Sequence, residues 1–274
     1  MRRDLSVKAI LAWTLAGIVV FGVARTSTQS PVRGRNVNVN GGPTWVKTNP
    51  FEIVGDPWRN QSVEPDCDVS SRNNAVIVCS SVDYRMVDLP GGAQSQSSPP
   101  SPHPDSWNMI GQSTDGGLTW ISRPHPGHLL DESGVATALK KYEFTADPTI
   151  RFGAAGVMFH LGMAANRGDN APSSIYVSLW VHLNNLEYDK EPVKFTGRLT
   201  EIATGSAGLF RDRPHLTIGE PTGRLCDIDV PVFDPEKGTT ELVPQTVPCT
   251  PAYVAYATFT GDRKTGPRSK IYFT

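Results

Sequence analysis

A proline anchor followed by alternating strands recurs three times in this 274-residue chain, and the recurrence constrains the fold more than any other feature. Each copy continues from its anchor into an alternating strand, a turn and further apolar strands. The anchors are Glu64-Pro65-Asp66, Asp147-Pro148-Thr149 and Arg213-Pro214-His215. Strand patterns repeated in this order predict an all-β, antiparallel fold.

The spacing inside each copy indicates how the strands are arranged. Second strands are predicted at 75–85, 156–167 and 252–261, and third strands begin at 106, 173 and 268. A fourth, outer strand is visible once, at 118–124. Small residues in the middle of the second strands fit close packing near a crowded axis; they are Ser80, Ser81, Gly162, Ala255 and Ala257.

These repeats favour a β-propeller of four-stranded antiparallel blades, with about three blades present and the propeller therefore incomplete. A β-sandwich is the alternative, since regularly spaced turns fit it as well. The 25 glycines and 23 prolines agree with a chain broken often by turns. Only 129–142 has a pattern that fits a short helix.

The N-terminus has the three-part pattern of a secretory signal peptide. Arg2, Arg3 and Lys8 precede an apolar run over 9–24, which ends in small residues. The run is shorter than the roughly 20 residues that span a membrane, so an uncleaved anchor is the alternative. The predicted organisation is a signal peptide or anchor at 1–24, a polar linker at 25–58 and a partial propeller at 59–274.

The four cysteines agree with export, since an even number in an exported chain predicts two disulfides. Cys67 and Cys79 flank one predicted hairpin, and Cys226 and Cys249 bracket a proline-rich loop. Three pairings are possible, of which the local one is the simplest. No cysteine spacing indicates zinc, and no cofactor is expected.

The stretch STDGGLTW, from Ser113 to Trp120, has the chemistry of a hairpin turn. The glycines permit positive φ, and Asp115 is placed to accept hydrogen bonds from amides of its own turn. Ser113 and Thr119 add hydroxyl groups across the turn, and Trp120 brings a large apolar face to the outgoing strand. No histidine, cysteine or second carboxylate is close in sequence, so a catalytic or metal role is not indicated.

Five of these residues match the pattern S-x-D-x-G-x-T-W; they are Ser113, Asp115, Gly117, Thr119 and Trp120. In this stretch the chain resembles the Asp-box of BNR-repeat propellers. The resemblance extends over about 60–274, and over this length the chain is similar to secreted bacterial exo-α-sialidase-like proteins. It implies a sialidase-like propeller of which this chain is the N-terminal part. In that family the Asp-box is distant from the active site and occurs in non-enzymes too.

A retaining sialidase, as the resemblance implies, holds its substrate carboxylate with three arginines and uses a Tyr–Glu nucleophile pair and an aspartic acid. Val63-Glu64 precedes Pro65 where the family has Arg-Ile before proline, so one arginine is absent. Inner strands that line a channel would bring five candidate ligand-binding residues together: Tyr84, Arg85, Asp147, Arg151 and Arg213. No catalytic residue is assigned.

A purely structural role is the alternative for these charges: Glu64 and Asp147 would cap strand entries, and the arginines would neutralise them. His160 and His182 lie in apolar strands and are predicted to be core or interface residues.

The function expected from the sequence is ligand binding by an exported propeller, with glycans or cell-surface and extracellular proteins as partners. A sialidase-like hydrolase whose remaining catalytic residues lie in further blades is the alternative, and a structural surface module is a third. The net charge of −1 does not favour nucleic acid or an anionic membrane surface as a partner. Membrane contact is expected only through an uncleaved N-terminal segment.

Overall fold

A computed structural model of the chain describes residues 62–84, 106–129, 131, 133–167, 171–182, 193–206, 208–234, 236–261 and 268–274. The all-β prediction is confirmed, since strands dominate these residues and helix is limited to single 3-10 turns at Thr137–Leu139 and Ala154–Gly156. None of the helices in these ranges is long and apolar enough to span a membrane. The predicted segments 1–24 and 25–58 lie outside the described residues.

The strands in chain order are β1 Ser62–Val69, β2 Ile77–Asp83, β3 Trp107–Ser113, β4 Ile121–Pro124, β5 Phe144–Phe152, β6 Val157–Ala165, β7 Ser173–His182, β8 Val193–Gly205, β9 Leu209–Ile218, β10 Leu225–Asp234, β11 Thr239–Pro248, β12 Ala252–Thr260 and β13 Arg268–Phe273.

Three antiparallel sheets and a hairpin are formed from these strands. Sheet I has the order β1-β2-β3-β4, sheet II the order β5-β6-β7-β8, and sheet III the order β13-β12-β9. The β10–β11 hairpin is inserted between β9 and β12. The first strands β1, β5 and β9 contact one another in succession. Within the described residues the sheets do not close into a barrel or a propeller.

All predicted second and third strands are present, whereas the hairpin β10–β11, the strand β8 and the segment 129–142 differ from the predictions. The proline-rich stretch between Cys226 and Cys249 is the β10–β11 hairpin, in which Pro231 pairs with Leu242. A two-stranded ribbon has two free edges, where proline is tolerated. Sheet II has a fourth strand, β8, that the sequence pattern did not indicate.

The predicted helix at 129–142 is wrong, because only the 3-10 turn at Thr137–Leu139 forms there. Asp131 accepts hydrogen bonds from the amides of Gly127 and Ser133 at 2.6 and 2.9 Å. Gly134 has a φ of 76°. Side-chain turns of this kind compete with helical hydrogen bonding.

Successive side chains of β6 point to opposite faces of sheet II, so this strand packs against both neighbouring sheets. Met158 packs toward sheet I, and Leu161 and Met163 pack toward sheet III. Sheets I and II share one buried cluster, and sheets II and III share another, to which Leu216 and Val254 contribute. The hairpin packs on sheet II through its own apolar residues; these are Ile228, Val230 and Val247.

Two histidines are fully buried between sheets I and II, with ring centroids 4.8 Å apart. His125 Nε2 lies 2.8 Å from Ser178 Oγ, and His160 Nε2 lies 3.1 Å from Ser80 Oγ. Burial lowers the pKa of His125 to about 4 and holds that of His160 well below its ordinary value. The predicted buried positions of His160 and His182 are confirmed.

The STDGGLTW turn is closed by Asp115. Its carboxylate accepts hydrogen bonds from the amides of Leu118 and Thr119, both at 2.9 Å, and from Thr119 Oγ1 at 2.6 Å. Ser113 Oγ donates to the same carboxylate at 2.8 Å. These bonds, led by that from the Thr119 hydroxyl, lower the pKa of Asp115 to about 2.

Trp120 lies just before β4 and covers this turn. Its Nε1 donates to the carbonyl oxygen of Gly117 at 3.0 Å, and Gly117 has a φ of 92°. The Gly117 amide in turn donates to Ser113 Oγ at 2.9 Å. Since the polar groups of the turn bond to one another, its role is architectural.

Both disulfides have the local pairing. Cys67 and Cys79 are direct partners across β1 and β2, with Cα atoms 4.0 Å apart. Cys226 and Cys249 join the start of β10 to the end of the hairpin. Two disulfides indicate an oxidising environment outside the cytosol.

Gly162 tests the predicted crowding of the second strands. A Cβ atom there would lie 2.7 Å from Asn108 Nδ2 and 2.8 Å from the Tyr176 hydroxyl, which are hydrogen-bonded to each other. We expect Gly162→Ala to lower the free energy of unfolding, measured in urea, by about 1–3 kcal/mol. The loss should be smaller when it is introduced into Tyr176→Phe. Equal losses in both backgrounds would show that the hydroxyl is not the source of the crowding.

The buried histidines predict acid sensitivity. Because the pKa of His125 is lower in the folded chain than the ordinary 6.5, the unfolded chain binds more protons between about pH 4 and 6.5. The free energy of unfolding should therefore fall as the pH drops through this window, by up to about 3 kcal/mol for His125. His125→Gln should reduce the slope relative to wild type, in urea titrations at several pH values. An unchanged slope would contradict this account.

Candidate functional site

The three proline anchors share one backbone conformation. Glu64, Asp147 and Arg213 have φ values of 55°, 49° and 49°, and they are three of the five non-glycine residues with positive φ in the described ranges. Each precedes a proline, and at each anchor two residues of the first strand oppose one residue of its partner strand. The anchors are therefore equivalent β-bulges, which tolerate a proline that lacks an N–H group.

Hydrogen bonds connect one bulge to the next. The amide of Asp147 donates to Glu64 Oε2 at 3.2 Å, and the amide of Arg213 donates to Asp147 Oδ2 at 3.1 Å. The same contact is thus made twice, from sheet II to sheet I and from sheet III to sheet II. At the third bulge the equivalent side chain is a guanidinium, which has no acceptor to continue the series.

Two further carboxylates of β1 bind the backbone of β5. Asp66 Oδ2 accepts the amide of Ile150 at 2.8 Å and Arg151 Nη1 at 2.7 Å. Asp68 Oδ2 accepts the amide of Phe152 at 2.7 Å. Arg151 therefore neutralises Asp66, while Glu64 and Asp147 accept backbone amides.

The bulges surround a cavity of about 270 Å³, which is lined by the three anchors and Arg151. The carboxyl group of Asp147 neighbours that of Glu64, which also lines the cavity, and that of Asp212, the residue before Arg213. Burial first, and then these two carboxyl neighbours, raise the pKa of Asp147 to about 7. A carboxyl pair in such contact holds a proton, because two ionised carboxylates have no donor to share.

Arg213 supplies an available positive charge at the cavity. The residue is exposed, and its guanidinium makes no hydrogen bond or ion pair with any residue of the described ranges. His215 is exposed two residues further along β9. A guanidinium of this kind binds oxyanions through parallel N–H donors.

Three of the five candidate residues come together here, since Asp147, Arg151 and Arg213 all line the cavity. Tyr84 is half-buried just after β2 and is not among the lining residues. Arg85 lies outside the described residues.

Sequence reasoning did not assign a ligand role to the other charged residues of the cavity. Glu64, Asp66 and His215 belong to the recognised anchors, so the repeated X-Pro-X pattern was the available signal. Asp212 has no such signal, because its position depends on the bulge that follows it. No group of three or more histidine, cysteine, aspartate or glutamate residues in the described ranges is arranged to hold a metal ion.

Comparisons with known proteins assign no family, so the class of this protein is described from its fold and site. No family model matches the chain, and neither a curated protein nor a solved structure is similar to it. The class is an all-β protein of antiparallel sheets, joined at equivalent bulges and cross-linked by two disulfides.

Removing the contacts of Asp66 should lower the stability of the protein more than removing an exposed ion pair does. Asp66→Ala should lower the free energy of unfolding by about 1–3 kcal/mol, because it leaves the Ile150 amide without its acceptor and removes the carboxylate partner of Arg151. Asp229→Ala is the matched control, since its pair with Arg198 is half exposed and should contribute less than about 1 kcal/mol. Equal losses in urea denaturation would contradict the inter-sheet role of Asp66.

Proposed function

We propose that this protein is an exported propeller of the BNR/Asp-box type that binds carbohydrate or protein ligands through the cavity between its anchors. Sheets I and II, each with four strands in sequential order, support blades, and sheet III supports a third. The two disulfides support export.

The observation that carries the binding proposal is the convergence of three equivalent bulges on one cavity, at which the guanidinium of Arg213 has no partner among the described residues. Strained backbone that is repeated at the rim of a cavity is typical of functional sites. Carboxyl groups that accept hydrogen bonds, beside a guanidinium that donates them, suit the hydroxyl and acidic groups of glycans. The role supported best is binding without catalysis.

A glycoside hydrolase is the second candidate, and the Asp147 carboxyl favours it. A group whose pKa is about 7 is suited to donate a proton to a leaving oxygen. Release of the fluorophore from a fluorogenic sialoside, lost in Asp147→Asn, would establish hydrolysis. Binding of glycans with no turnover would establish the binding role.

The binding role is tested on a glycan array with wild type and Arg213→Ala. We expect bound glycans to lose affinity by roughly ten- to a hundredfold, the value of a charge-assisted hydrogen bond pair. Arg198→Ala is the control, because Arg198 pairs with Asp229 on the hairpin, away from the bulges. An array without binding, or binding unchanged in both Arg151→Ala and Arg213→Ala, would overturn the proposal.

A further inference from the structure

Resting on that proposed function, we propose that the cavity binds anionic ligands together with a proton, which Asp147 shares with Glu64 and Asp212 while Arg213 holds the anionic group. Proton uptake would make the binding site responsive to pH. This is a property of the bulge cluster itself, since each of these residues is placed by an anchor or lies beside one.

The balance of charge in the cavity requires the proton. Asp66 and Arg151 already neutralise each other at 2.7 Å. Two further carboxyl groups, those of Glu64 and Asp147, then line the cavity with the guanidinium of Arg213, which has no ion-pair partner among the described residues. With both carboxyl groups ionised, the lining is net negative and repels an anion. One proton on the cluster removes a negative charge next to the position where the ligand's anion binds.

Geometry links the proton to Arg213. Asp147 Oδ2 accepts the amide of Arg213, so the carboxyl group and the guanidinium belong to directly connected residues. The same Asp147 carboxyl contacts Asp212, the residue before Arg213. An anion on Arg213 therefore lies near the carboxyl cluster and favours its protonated form.

Other titratable groups around Asp147 have to be distinguished from it. The strands packed against β5 are β1, β2, β3, β6 and β9, and β3 carries no ionisable side chain. The remaining groups are Glu64, Asp66 and Asp68 on β1, buried Asp83 on β2, buried His160 on β6, Arg211, Asp212, Arg213 and His215 on β9, and Arg151 on β5 itself. His215 lines the cavity and is the one imidazole among its lining residues, so substituting it distinguishes a histidine effect from that of the carboxyl cluster.

The test uses two matched probes, methyl β-glucuronide and methyl β-glucoside, which differ in a carboxylate. Chemical shift titrations of the full chain at pH 6 and pH 8 give the dissociation constants. We expect the glucuronide to bind about tenfold more tightly at pH 6, because about a tenth of the Asp147 carboxyl retains its proton one unit above its pKa of about 7. The glucoside should show no such change.

Variants assign the effect to its source. Asp147→Asn, which is neutral at both pH values, should bind the glucuronide equally at pH 6 and pH 8. His215→Gln should keep the wild-type ratio. Circular dichroism at both pH values confirms that each variant is folded, and Glu64→Gln provides a second removal of cluster charge that should also reduce the ratio.

The outcomes separate this inference from the binding proposal. Equal glucuronide affinity at both pH values, a ratio that survives in Asp147→Asn, or a ratio lost only in His215→Gln would overturn proton coupling while leaving glycan binding intact. Failure of both sugars to perturb the cavity at either pH, with an array that is also silent, would overturn the binding proposal together with it. Tighter glucuronide binding at pH 8 would show that the ionised cluster does not repel anions.

Discussion

The amide–carboxylate hydrogen bonds between successive bulges are the contacts on which the arrangement of the sheets depends. A bulge removes a backbone amide from its own ladder, and a buried amide without an acceptor costs free energy comparable to a lost hydrogen bond. Glu64 accepts the amide freed at Asp147, and Asp147 accepts the amide freed at Arg213. Left-handed backbone at non-glycine residues costs about 1–3 kcal/mol each, and these inter-sheet bonds offset part of that cost.

The chemistry of the cavity follows from one difference among the three equivalent bulges, which is the type of side chain at the positive-φ position. The first two bulges carry carboxyl side chains that bond to the next sheet, whereas the third carries an arginine with no partner among the described residues. A position that accepts an amide of the next sheet in sheets I and II thus carries a guanidinium in sheet III. The carboxyl group of Asp147 is brought into contact with Asp212 by the same bulge.

The buried histidines and the half-buried Asp147 respond to pH in opposite directions. The folded chain disfavours protonation of His125 and His160, so these residues reduce stability as the pH falls below about 6.5. Asp147 binds its proton more tightly in the folded chain, so its contribution is present at low pH and is lost as the pH rises toward about 7. Measurements on single variants are needed to separate the two contributions, because they overlap in the same range.

Local patterns alone determined the strand repeats, the three anchors and the internally bonded turn around Asp115, whereas the sequence left three disulfide pairings open and the structure has the local one. In each case the residues that decide the structure are near one another in the chain. Neither β8 nor the β10–β11 hairpin was recognised, since β8 depends on its pairing with β7 and the hairpin depends on packing against sheet II. Only the tertiary structure brought Glu64, Asp147 and Arg213 to one cavity, because the hydrogen bonds that join their bulges connect residues 83 and 66 positions apart in the chain.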